Sequence, residues 1–83
     1  MQLHIAPMNQ EMMKTRLLEN FPDGLIEVHD LTGTANHWEV SVESQSFSGL
    51  SRVQQHQLVM AAFAPELKTG EVHALAIKTK LKN

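Results

Sequence analysis

Residues 51–81 read "SRVQQHQLVMAAFAPELKTGEVHALAIKTKL", and how this stretch divides decides the fold. Ser51 is a good N-cap, and Gln54 three residues on completes a capping-box pattern, so a helix starts here. At roughly 100° per residue, Val53, Val59, Met60 and Phe63 fall within one arc, and His56 sits inside it. That arc is expected to face a core. Pro65 interrupts after Phe63 and Ala64, and its fixed φ suits the first turn of a second, short helix over 66–68, which Thr69 and Gly70 end. From Glu71 the chain alternates. His73, Leu75, Ile77, Thr79 and Leu81 lie on one face, with Val72, Ala74, Ala76, Lys78 and Lys80 on the other. A strand reached through a helical crossover is free to pair parallel with an earlier strand, which a tight hairpin does not allow.

Working back toward the N-terminus, Met13, Leu17 and Phe21 recur at a spacing of four and stack on one face of a helix over 9–20. Pro22, Asp23 and Gly24 stop that helix with a turn. "LIEVHD" (25–30) follows as a short strand rich in apolar and β-branched residues, and "LTGTAN" (31–36) reads as a loop. "HWEVSVES" (37–44) alternates, with Trp38, Val40 and Val42 on one side and Glu39, Ser41 and Glu43 on the other. The order is helix, strand, strand, helix, helix, strand. Each element has one apolar side to bury, so the expected fold is α+β: a three-stranded sheet with helices packed on one face.

The 83 residues are expected to form a single domain with a thin core, residues 1–8 being a loosely ordered N-terminus. The formal charge of -2 gives no general attraction to phosphate backbones, so a nucleic-acid role would need a local patch. No apolar run approaches the ~20 residues that span a bilayer, and "MQLHIAP" lacks the basic and apolar regions of a secretory signal, so a cytosolic setting is expected. With no cysteine, the chain by itself has no disulfide, thiolate nucleophile or thiolate metal site.

Five histidines are therefore the most versatile chemistry available. His56 reads as a buried imidazole, hydrogen-bonded and holding its helix against the sheet; a functional role would need a partner, and no other titratable group shares its arc. His73 enters the last strand and His37 enters the second, beside Trp38. Each is either a partly exposed side chain without a role or a ring at the sheet's rim where a ligand can approach. Whether the two share an edge cannot be read from spacing. His29 lies mid-strand and reads as a surface side chain, and His4 falls in the frayed terminus. Lys78, Lys80 and Lys82 repeat at period two, as a solvated or self-protecting edge or, with Arg52, as phosphate contacts. No G-x-S-x-G, H-E-x-x-H or G-x-x-x-x-G-K-[ST] pattern is present.

"FSGLSRVQQHQLV" (47–59) followed after Pro65 by "VHALAIKT" (72–79) resembles the BolA family, and the likeness runs from about Ile26 to Thr79. Phe47-x-Gly49, the helix centred on His56, and His73-Ala74-Leu75 carry it. The resemblance implies a class II KH-like fold, α-β-β-α-α-β, without enzymatic activity. It also implies a monothiol glutaredoxin partner sharing a bridging [2Fe-2S] cluster, with His73 of the H-A-L motif as a ligand. A second ligand would come from the loop between the first two strands, best matched by His37, with His29 as the fallback. The thiolates would then come from the glutaredoxin's cysteine and its bound glutathione, because clusters are ordinarily thiolate-held and this chain has none. Whether the free protein forms a weak homodimer is left open by the sequence. Gln55 and Gln57 stand where many members carry arginines beside the helix histidine, and "KLKN" stands where many continue into a T-P-x-x-W tail. Both departures count against the DNA-binding role of some relatives.

Overall fold

The computed structural model describes residues 9–33 and 37–83. The expectations for residues 1–8, for His4 and for the second half of the "LTGTAN" loop lie outside them. Helix α1 spans Gln10–Asn20, and Asn9 caps it by accepting the Met12 N–H at 2.8 Å. Strand β1 (Leu25–Asp30) falls where composition placed it and β2 (His37–Ser44) where alternation did. A 3₁₀ turn, Gln45–Phe47, buries Phe47 against Phe21, ring centroids 5.3 Å apart. Helix α2 (Arg52–Ala62) begins with the expected capping box, both of whose hydrogen bonds form. Helix α3 (Ala64–Thr69) is longer than expected at both ends and stops at Gly70, whose φ of 85° is open to glycine at little cost. Strand β3 is Ala74–Leu81.

The sheet order is β1-β2-β3, with β1 antiparallel and β3 parallel to the central β2. The α-β-β-α-α-β order is that expected of a class II KH-like domain. One face carries Ile26, Val28, Trp38, Val40 and Val42, all buried beneath Met13 and Leu17 of α1, Val59 of α2 and Phe63, which caps α2. The other face is open, with Leu25, Glu27, His29, Ala76, Lys78 and Lys80 exposed. No helix of the described residues is long and apolar enough to cross a membrane.

Polar ties also hold the elements together. Arg16 of α1 makes a bidentate pair with Glu66 of α3 (2.8 and 3.0 Å) and donates to the Ala62 carbonyl (2.9 Å), closing three elements together. Gln55 of α2 donates to the Leu50 carbonyl (3.0 Å) and accepts the Thr79 hydroxyl of β3 (2.6 Å).

The buried stripe of α2 is narrower than the helical wheel suggests. Val59, Ala62 and Phe63 are buried, but Val53 is 66% exposed and Met60 46%. The helix packs over β3 where the sheet ends, so its flank has no further strand to cover it. His56 lies on that flank, half-buried and without a hydrogen bond to another described residue, which corrects the expectation of a buried, bonded imidazole. Gln55, its neighbour, is the residue of α2 with polar bonds to the sheet and to the preceding loop.

Candidate functional site

His37 and His73 meet. Their rings stack with centroids 5.3 Å apart and planes 18° from parallel. The cause is the direction of pairing: β2 and β3 run parallel with His37 opposite Ala74, so the entries of both strands lie at one rim of the sheet. Antiparallel pairing would have put those entries at opposite ends.

His73 reaches this position because it precedes the strand. Alternation from Leu75 assigns it to the helix-covered face, but residues 71–73 are not paired in the sheet. Val72, assigned to the open face by the same count, is 1% exposed and its N–H donates to the Glu66 carbonyl at 3.1 Å. Anchoring Val72 in the core turns His73 outward, where its ring finds His37.

His29 shares the open face but stands opposite Glu39, not opposite His37, and is exposed. Glu39 pairs instead with Lys78 of β3, at 3.3 Å, beside the histidine rim. Strand periodicity places both groups on the open face. Only the parallel register, with Glu39 opposite Ala76, makes them neighbours. Among the described residues no three histidine, aspartate or glutamate side chains converge as a metal cluster, so the rim offers two imidazoles. A metal centre there would need ligands beyond these two.

The four candidate phosphate contacts do not form one patch. Lys78 is paired with Glu39, while Lys80 lies further along the open face. Lys82 donates to the Asp23 carbonyl (2.7 Å), and Arg52 is exposed at the start of α2, on the covered side of the sheet.

The far end of the β2–β3 pair is organised by a group the sequence reading treated only as a turn residue. Asp23 accepts the Ser44 hydroxyl at 2.7 Å and the Gln45 N–H at 2.8 Å. The Gln45 N–H and then the Ser44 hydroxyl hold its carboxyl below the usual carboxylate range. Glu66 is lowered too, chiefly by the Arg16 hydrogen bonds, and Arg16 is raised by the same contact.

A sequence profile described as "BolA-like protein" matches residues 19–83. The uncharacterized protein RP812 of Rickettsia prowazekii is 33% identical over 69 residues, 83% of this chain and 88% of that protein. BolA-like protein 1 of Homo sapiens is 39% identical over 75 residues that cover 82% of this chain but 54% of its own length. The chain thus spans about half of that relative. The DNA-binding transcriptional regulator BolA of Vibrio cholerae is 34% identical over 79 residues, covering 87% of this chain and 74% of that one. Among solved structures, BolA1 from Arabidopsis thaliana matches with a TM-score of 0.78 at 28% identity, over 87% of this chain and 89% of the other. With the profile covering most of the chain and the fold matching in element order, the protein belongs to the BolA family.

Proposed function

We propose that the protein is a non-enzymatic adaptor that binds a monothiol glutaredoxin and co-ligates a bridging [2Fe-2S] cluster through His73 and His37, in iron-sulfur cluster trafficking. The observation that carries this reading is the stacked pair at the β2–β3 rim. Two imidazoles and no thiolate make half of a donor set, and would suit a cluster whose remaining ligands are thiolates from elsewhere. When bound, the cluster would supply the redox and transfer chemistry; this chain's part is to present two imidazole rings at the rim where β2 and β3 begin. Imidazole ligation raises the cluster's reduction potential relative to all-cysteine ligation and makes binding acid-sensitive, because a protonated ring cannot ligate. His29 takes the second position only if His37 does not.

The test is reconstitution with a monothiol glutaredoxin and glutathione, read by visible absorption and by complex stability in gel filtration. His73→Ala and His37→Ala should each change the spectrum and weaken the complex. A His73→Ala complex with wild-type spectrum and stability would remove His73 from the ligand set, and retention by His37→Ala with loss in His29→Ala would select the fallback.

The second reading, a nucleic-acid-binding regulator, is favoured by the name of the Vibrio cholerae relative. Its weakness is the division of Arg52, Lys78, Lys80 and Lys82 among separate surfaces, two of the lysines being already engaged. A salt titration of DNA binding decides it. An electrostatic binder loses affinity steeply with salt, and absence of binding at low salt would end this reading.

A further inference from the structure

Strand β3 is an edge of the sheet, with β2 on one side and no described strand on the other. Its backbone groups alternate in direction. The Lys82 N–H donates to the Ser44 carbonyl and β3 follows β2 in parallel register, so Ala74, Ala76, Lys78 and Lys80 turn their N–H and C=O groups toward β2. Leu75, Ile77, Thr79 and Leu81 turn theirs outward, as a template for another strand. On the helix-covered face Leu75 and Ile77 are only half-buried, and on the uncovered flank of α2 Val53 and Met60 are exposed. The edge therefore adjoins apolar surface that this chain does not cover by itself.

On the open face the order is Ala74, Ala76, Lys78, Lys80, two small side chains and then two long ones. Edge lysines ordinarily discourage strand pairing. This order, however, is complementary to itself when reversed. Outward backbone groups must meet outward groups, so the two antiparallel registers that overlap most of β3 with a second copy of β3 centre on Ile77 or on Lys78. Centring on Lys78 sets that lysine against itself, which is unfavourable. Centring on Ile77 sets Lys78 against Ala76 and Lys80 against Ala74 of the second copy, so no lysine directly faces another. Lys78 is moreover paired with Glu39 at 3.3 Å, and Lys80 stands in register with Glu43, both on the side away from the edge. On the covered face the same register sets Ile77 against Ile77 and Leu75 against Thr79, with the two α2 flanks brought side by side.

We infer that the chain forms a two-fold dimer through β3, antiparallel about Ile77, which joins two three-stranded sheets into one and covers Val53 and Met60. The occupant of the edge is a second copy because this register matches long side chains to small ones and apolar to apolar, and leaves each lysine to a glutamate of its own chain. Backbone hydrogen bonds from Leu75, Ile77 and Thr79 supply the pairing.

The test uses the full chain, without cluster or glutaredoxin, in sedimentation equilibrium and amide hydrogen exchange from micromolar to millimolar protein. A dimer should appear with rising concentration, and the Leu75, Ile77 and Thr79 amides should slow with it, while the Ala76 and Lys78 amides, directed at β2, change little. Ile77→Pro removes the central outward N–H, leaves the ladder to β2 intact and should abolish the dimer. Should that variant fail to fold, Ala76→Lys, at an exposed position of the open face, sets a lysine against Lys78 twice by symmetry and should weaken the dimer about tenfold. Adding Lys78→Glu makes both of those pairs opposite in charge and should restore it. A chain that stays monomeric at millimolar concentration, a dimer indifferent to Ala76→Lys or not restored by Lys78→Glu, or slowed exchange confined to α1 or β1 would overturn the inference. None of these outcomes bears on ligation by His37 and His73, since neither cluster nor glutaredoxin enters the measurement.

Discussion

The two ends of the β2–β3 pair are built on opposite principles. At the end where the strands finish, the Asp23 carboxylate takes up the Ser44 hydroxyl and the Gln45 N–H, Lys82 donates to the Asp23 carbonyl, and the Lys82 N–H returns to the Ser44 carbonyl at 3.2 Å. Ser44 itself is fully buried. That end is closed on itself. At the end where the strands begin, His37 and His73 stack on each other, and neither ring makes a hydrogen bond to another described residue. Donor capacity that the fold does not consume is what a ligand or partner needs, and the two imidazoles at the opening end keep theirs.

The largest test of this division lies beneath the histidines. Trp38, next to His37 and 2% exposed, fills the core at the same end, and Trp38→Ala should cost about 3–5 kcal/mol in urea unfolding followed by circular dichroism. A small effect would mean that the histidine end is not supported by the core. At the closed end, Ser44→Ala removes a buried donor from Asp23 and should cost about 1–2 kcal/mol in the same measurement, with no change in cluster assembly. Loss of assembly in a folded Ser44→Ala protein would abolish the contrast.

Acid should weaken the closed end as well. Asp23 and Glu66 both titrate below the ordinary carboxylate range in the fold, so on acidification the unfolded chain takes up these protons first. Their stabilisation is complete above the unfolded carboxylate pKa and is lost as pH falls through the lowered native values. The urea midpoint should therefore decline through that window, and less steeply in Asp23→Asn with Glu66→Gln. A decline as steep in that double variant as in the wild type would place the acid sensitivity elsewhere. The smallest effect is expected where function is proposed. His37→Ala with His73→Ala should change stability by no more than about 0.5 kcal/mol, because partly exposed rings without hydrogen bonds contribute little to folding. A loss of several kcal/mol would make the pair structural.

Much of this contrast is legible in the chain before any coordinates. The capping box at Ser51, the spacing of Met13 and Leu17, and the alternation of "HWEVSVES" are local signals, and each element formed where its signal stood. His37 and His73 stood out as strand-entry residues for the same reason. The arc of α2 misled, because a helical wheel assumes neighbours all along a face and α2 lies where the sheet ends. The clasp around Asp23 was invisible, since a turn residue reveals nothing about a hydroxyl that reaches it from twenty-one positions away.

What the sequence by itself determined was the order of the elements, the apolar face of each, and the absence of any thiolate, all set by local propensity, periodicity and composition. The tertiary structure alone decided that β3 runs parallel to β2, that Val72 is drawn into the core, and hence that two histidines thirty-six positions apart stack at one rim. Direction and register come from long-range packing and backbone pairing. Neither leaves a trace in the local pattern, where a strand reads the same whichever way its neighbour runs.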